Sequence, residues 1–285
     1  MARQHNALGA ELLSAGDLER AEANFRLALE YAPGLPEARM NLGVLALRRG
    51  RLLEAETELR AALGLREDFP EAWANLGAAL EAMGRSDEAR SAYERALSIH
   101  PGLATARRNL GRLLLEERRL AEARAHLLRL LETDPEDLEA HALLAWCELL
   151  LDRPDAAEER LAWAFRASPA PPVAHLVRAI LELRSGALAE AEVDLALAEE
   201  EPLLQREVAL RRAAIDVVLS RPADALARLG PLLEDDPFDA AAHLLVARAA
   251  ADLGDGEVAR THAEAALELM PDLEAARALL AALAP

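Results

Sequence analysis

A step of 34 residues organises this chain. Starting at Gly9 it lands on Gly43, Gly77 and Gly111, then on Ala145, Ala179, Ala213 and Ala247. Twelve residues after each of these stands an alanine: Ala21, Ala55, Ala89, Ala123, Ala157, Ala191, Ala225 and Ala259. Twelve further on stands a proline at Pro33, Pro101, Pro135, Pro169, Pro237 and Pro271, with Glu67 and Leu203 as the two exceptions. Alanine is common here, so its series alone would mean little. Three series in register over eight periods, with no insertion, point to a row of near-identical units stacked on one another.

Each unit reads as two helices. Ala, Leu, Glu and Arg dominate while Val, Ile and Thr are sparse, which favours helix throughout. Hydrophobic residues make up 52% of the chain but aromatics only 3%, so small and aliphatic side chains must do the packing. The first helix of a unit ends near a glycine (Gly16, Gly50, Gly84, Gly186, Gly254) that can take the left-handed conformation closing a helix. Asp17 and Ser86 are placed to cap the helices that follow. The second helix carries the small Ala, then a larger residue four on (Phe25, Tyr93, Leu195), and stops at the proline. In the stretch WANLGAAL, Trp73, Leu76 and Gly77 share one helix face. A glycine inside a helix costs roughly 1 kcal/mol relative to alanine. Two helix axes must therefore pass close at Gly77.

This pattern resembles the tetratricopeptide repeat family, whose 34-residue unit carries W-x2-L-G-x2-Y…A-x3-F…P. The third unit matches best, with Trp73, Leu76, Gly77, Leu80 in the usual Tyr place, Ala89, Tyr93, Ala96 and Pro101. From the fifth unit the Gly becomes Ala and the Trp place holds His or Ala. The resemblance implies an all-α fold, a right-handed superhelical solenoid of eight helix-turn-helix repeats. They span residues 2–35, 36–69, 70–103, 104–137, 138–171, 172–205, 206–239 and 240–273, a single array closed by a capping helix at 274–285. Places within a repeat are counted from these starts. The sixth repeat, with Glu199 where others have Leu or Phe and EEE at 199–201, is expected to be the loosest.

The net charge of −18 disfavours nucleic acid and anionic membranes as partners. All 32 basic residues are arginine, which marks genome bias more than function. Cys147 is alone, so no disulfide framework exists and a reducing compartment is expected. The start MARQHNALGAELL lacks a signal-peptide core, and no run approaches the length of a membrane span. A cytoplasmic protein is the expectation. No phosphate loop or nucleophile elbow is present, so no enzyme activity and no cofactor are expected. His5, His141, His175 and His243 share the fourth place of their repeats, about 8–10 Å apart if adjacent. That separation is too wide for a shared zinc, so they are read as filling the Trp slot, with no metal.

By the resemblance, first helices line a concave groove. Asn41, Asn75 and Asn109 form a register of amides suited to a peptide backbone, as in the family's protein-glycosylating members, or are simply solvated. Arg108 and Arg112, with Arg107, Arg118, Arg119 and Arg124, make a basic spot where a carboxylate could dock. The places of the family's chaperone-binding carboxylate clamp are not filled. Later repeats turn apolar: Leu143, Trp146, Leu149, Leu150, Leu176, Ile180, Leu183, Leu210, Val217 and Leu244. Either these form an oily trough for a partner segment, such as an amphipathic helix, or curvature buries them within the array.

The expected function is a non-enzymatic scaffold or adaptor engaging another protein, or a second copy, through that groove. Bacterial arrays resembling this one serve pilus, secretion, motility or polysaccharide-export assemblies. The alternatives are the substrate-recruiting part of a larger enzyme, such as a protein glycosyltransferase, and a self-assembling structural protein.

Overall fold

A computed structural model describes residues 1–166 and 168–283. The described residues form seventeen α-helices and a 3-10 turn at Pro202–Leu204, with no strand among them. They fall into two compact units, Met1–Leu151 and Asp152–Pro285.

The first unit holds α1 (Ala2–Ser14), α2 (Leu18–Tyr31), α3 (Pro36–Arg48), α4 (Leu52–Leu65), α5 (Pro70–Ala82), α6 (Ser86–Ile99), α7 (Ala104–Glu116), α8 (Leu120–Thr133) and α9 (Leu138–Leu150). Helices α1 to α8 form four hairpins, and each second helix also packs on the next first helix. The first helices α1, α3, α5, α7 and α9 touch in sequence and make one layer. The second unit holds α10 (Pro154–Ala164), α11 (Pro172–Ser185), α12 (Leu188–Ala198), α13 (Gln205–Val218), α14 (Pro222–Asp235), α15 (Ala240–Asp252), α16 (Gly256–Leu269) and α17 (Glu274–Ala282). There α11/α12, α13/α14 and α15/α16 are the hairpins; α11, α13, α15 and α17 touch in order, and α17 also covers α16.

The turn inside each repeat has one geometry throughout. The fifteenth place takes positive φ in all eight periods: Gly16 (81°), Gly50 (69°), Gly84 (74°), Arg118 (59°), Asp152 (58°), Gly186 (83°), Ser220 (54°) and Gly254 (79°). The next N–H reaches back five residues, as from Arg85 to Leu80 O (2.9 Å) and Arg221 to Asp216 O (2.8 Å), a Schellman closure. The turn thus persists at three positions where glycine does not. Asp17 caps α2 as expected, but Ser86 is the first residue of α6 rather than its cap. Arginines occupy that cap place (Arg51, Arg85, Arg119), each ion-paired to a glutamate three residues on. Those glutamates lie in the first turn, where negative charge suits the helix dipole.

The eighth-place glycines are required by contact within a hairpin. A Cβ on Gly9 would lie 2.6 Å from Phe25, on Gly43 2.6 Å from Leu59, on Gly77 2.5 Å from Tyr93, and on Gly111 2.9 Å from Leu127. The close approach joins the two helices of one hairpin rather than successive hairpins. Where the eighth place becomes alanine the facing place holds nothing larger than leucine: Leu161, Leu195, Leu229 or Ala263. The aromatic partners, Phe25 and Tyr93, occur only opposite glycine. The core runs through these sites, with Ala21, Phe25, Leu59, Ala89, Tyr93 and Leu127 fully buried in the first unit, and Ala213, Ala225 and Leu229 in the second.

The fifth and sixth periods have shortened second helices. Helix α12 stops after 11 residues at Ala198, but so does α10 of the fifth period at Ala164, against 14 for α2 or α14, so helix length does not single out the sixth. The division into compact units, however, falls at Leu151/Asp152 and not there.

Candidate functional site

The polar register of the first unit lies on adjacent helices α3, α5 and α7, and is largely satisfied from within. Asn41 donates to Asn6 Oδ1 (3.0 Å) across α1 and α3. Arg108 pairs with Asp137 (2.5 Å), whose other oxygen caps α9 at Ala140 N. Arg112 sits between Glu81 (2.8 Å) and Glu116 (3.0 Å), and the Tyr93 hydroxyl donates to Glu81 Oε2 (2.7 Å). Asn109 is near enough to this hydroxyl to act on it. Burial raises the Tyr93 pKa, and the Glu81 charge adds to the effect, while Asn109 pulls it down. Burial also raises the Glu116 carboxyl, against the pull of Arg112. Burial opposes the Arg112 charge, but Glu81 and Glu116 outweigh it and raise its pKa. Asn75 is half-buried on α5.

The apolar set divides in two. Leu143, Trp146 and Leu149 are buried on α9, as are Leu176 on α11 and Leu210 on α13, so they offer no open surface. The reason on α9 is its composition: residues 140 to 149 are all buried, as expected of a helix apolar nearly all round. Ile180 and Leu183 on α11, Val217 on α13 and Leu244 on α15 are half-exposed. Val218, next along α13, is 67% exposed. These five lie on three successive first helices of the second unit. Leu150 is half-exposed at the end of α9 in the first unit.

The fourth-place side chains are structural donors. Trp73 Nε1 donates to Glu67 O (2.9 Å); His141 Nε2 lies 3.0 Å from Pro135 O, and His243 Nε2 3.0 Å from Pro237 O. Arg107 and Arg277 reach Pro101 O and Pro271 O in the same way. At these five positions the slot holds a side chain that satisfies a carbonyl six residues back, where the preceding helix has ended, whereas the seventh repeat has Ala209 there. Sequence reasoning missed a second function of this place: it meets the side chain 19 residues on. The pairs are His5–Asn24 (3.1 Å), Arg39–Glu58 (2.9 Å), His175–Asp194 (2.7 Å) and His243–His262 (2.8 Å). A 19-residue spacing repeating every 34 was the available signal. Asp194 is buried and held also by Arg178 (2.6 Å); burial would raise its pKa, but the bonds from Arg178 and His175 prevail and lower it. Cys147 is buried, its thiol 3.4 Å from Leu120 O.

No group of three metal-ligating side chains converges among the described residues. No helix there is long and apolar enough to cross a membrane.

Comparison with known proteins places this geometry. Residues 12–80 and 80–147 match one family profile described as tetratricopeptide repeat, and residues 151–202 and 210–274 match another of the same description. No curated protein matches the chain. Among solved structures, a tetratricopeptide repeat protein from Parabacteroides merdae is similar at 22% identity and TM-score 0.55, over 87% of this chain and 98% of its own. YrrB, described as a TPR protein with an unusual peptide-binding site, is 24% identical with TM-score 0.48, over 61% of this chain and 90% of its own. MamA is 19% identical with TM-score 0.48, over 58% and 90%.

Proposed function

Because the chain belongs to the tetratricopeptide repeat family, we propose that it is a non-enzymatic scaffold whose eight repeats, residues 2–35 through 240–273, present first-helix faces to another protein. The docking face we assign is the strip of Ile180, Leu183, Val217, Val218 and Leu244 on α11, α13 and α15. The observation that supports it is selective exposure. The polar register of the first unit spends its hydrogen bonds on Asn6, Asp137, Glu81, Glu116 and Tyr93, whereas this strip keeps four apolar side chains partly exposed and a fifth, Val218, 67% exposed. Full burial of such a side chain contributes about 1.5–3 kcal/mol. Four of the five are already mostly buried, so the strip offers only a few kcal/mol, about 3–4, before association costs. The partner segment must therefore add polar contacts, and its affinity is moderate. An apolar or amphipathic stretch of a protein within a multiprotein assembly fits this strip.

The test is affinity capture with the wild-type chain and with Leu183→Asp/Val217→Asp. Both changed residues are partly exposed, and since Val217 also packs against the Leu210–Ala213 core, circular dichroism checks that helicity holds and Leu183→Asp alone serves as the second variant. A protein retained by the wild type and lost from the variant is expected. An identical set of retained proteins would remove the assignment.

A further inference from the structure

The basic stretch along α7 and α8 is neutralised almost everywhere. Arg108 pairs with Asp137, Arg112 with Glu81 and Glu116, Arg119 with Glu122, and Arg124 with Glu148. Among the described residues, neither Arg107 nor Arg129 has a carboxylate within ion-pair distance. Arg107 is only 8% exposed, and of its five N–H donors one is used, on Pro101 O.

Register explains what surrounds it. Four repeats bring the fourth place against the residue 19 further on, and in three of them, His5–Asn24, Arg39–Glu58 and His175–Asp194, the second residue supplies an oxygen acceptor. In the fourth repeat those two places hold Arg107 and His126, both bases. His126 Nδ1 is buried without a hydrogen-bond partner. Arg129 stands three residues beyond His126, one turn along α8. Burial, and then the Arg129 charge, lower the Arg107 pKa; burial, and then Arg107, lower that of His126. Glu132 acts on Arg107, and Glu122 and Glu94 on His126, but none closes to a pair, and Glu122 is already engaged by Arg119. The slot thus gathers like charges and spare donors around a missing acceptor, and a compact oxyanion is what charge-assisted bonds of this kind hold.

We propose that Arg107, His126 and Arg129 form a binding site for a compact oxyanion, either free phosphate or the carboxylate of an acidic side chain. The site is independent of the docking strip in the second unit. Occupancy favours the imidazolium form of His126, so binding tightens as pH falls.

The full chain is titrated with sodium phosphate, and separately with glutarate as the analogue of an acidic side chain, at ionic strength fixed with sodium chloride. The His126 ring resonances are followed by NMR. A saturable shift, with His126 titrating about one pH unit higher at saturation, is expected; one unit corresponds to tenfold coupling. Arg107→Trp keeps the bond to Pro101 O, as Trp73 does with Glu67 O, but removes the charge; it should bind at least tenfold more weakly. Arg129→Gln changes an exposed side chain and should also weaken binding. Phosphate alone saturating assigns the free ion, and glutarate saturating assigns the carboxylate. No saturable shift with either, or unchanged affinity in either variant, overturns the site.

Discussion

Replacing Gly77 by alanine tests the hairpin packing most sharply. The new methyl would lie 2.5 Å from Tyr93 Cε1, 2.7 Å from Cδ1 and 2.9 Å from Cζ. The ring is fully buried and its hydroxyl is tied to Glu81 at 2.7 Å, so it cannot swing aside without breaking that bond. Overpacking of this kind costs typically 1–3 kcal/mol, and a lost hydrogen bond to a charged group adds about 1.5–3 kcal/mol. Against this, alanine recovers about 1 kcal/mol of helix propensity. The net expectation is a loss of about 2–4 kcal/mol. Tyr93→Leu alone also destabilises, by removing ring volume and the hydroxyl. The double variant Gly77→Ala/Tyr93→Leu recreates the combination found at Ala179/Leu195 and Ala213/Leu229. It should therefore be more stable than the sum of its parts predicts, with a coupling of about 1–3 kcal/mol. Urea unfolding followed by circular dichroism and by tryptophan fluorescence measures all four corners of the cycle. A neutral or stabilising Gly77→Ala, or additive single changes, would refute the close approach.

Ser220→Gly should stabilise the chain by about 1 kcal/mol, because Ser220 holds φ 54° where five repeats use glycine; a lowered urea midpoint would count against it. Asp194→Asn should cost about 2 kcal/mol, since it weakens a buried carboxylate serving both Arg178 and His175, with the half-exposed Arg178 moderating the loss. Unchanged thermal stability would show that cluster to be idle. Burial holds both His126 and His262 below the ordinary histidine range, with Arg107 and His243 respectively adding to it. Their neutral forms favour the fold, so that contribution is complete above about pH 6.5 and is lost as pH falls from there towards their folded values. Stability measured from pH 8 to 5 should decline, and His262→Gln should decline less. Glu116 and Glu182, raised by burial, work in the opposite sense as they take up protons. The difference between variant and wild type isolates the histidine.

The fold was legible because each repeat spends its few informative residues on backbone demands. Gly77 faces Tyr93, Gly84 takes the left-handed turn, and Pro101 follows the end of α6, and all three types repeat at 34. What escaped the sequence depends on side-chain partners. Arg118, Asp152 and Ser220 take the same turn without glycine, so composition hid them. Asn109 and Arg112 read as groove residues, yet both are drawn inward by Tyr93 and Glu81, which stand 16 and 31 residues earlier. Trp146 and Leu149 fit an exposed register equally well as a buried one, and only the packing around α9 distinguishes the two. The histidines at the fourth place share the Trp73 slot, and the partner 19 residues on could have been read from the spacing, but the carbonyl six residues back required coordinates.

The docking strip is tested most directly by site-specific photo-crosslinking in the native host. A benzophenone side chain placed at Val217 should give a discrete adduct with another protein. The same group at Val193, 63% exposed on second helix α12, should give none. Equal labelling at both positions, or adducts from Val193 alone, would contradict the assignment of the first-helix face as the surface this protein offers its partner.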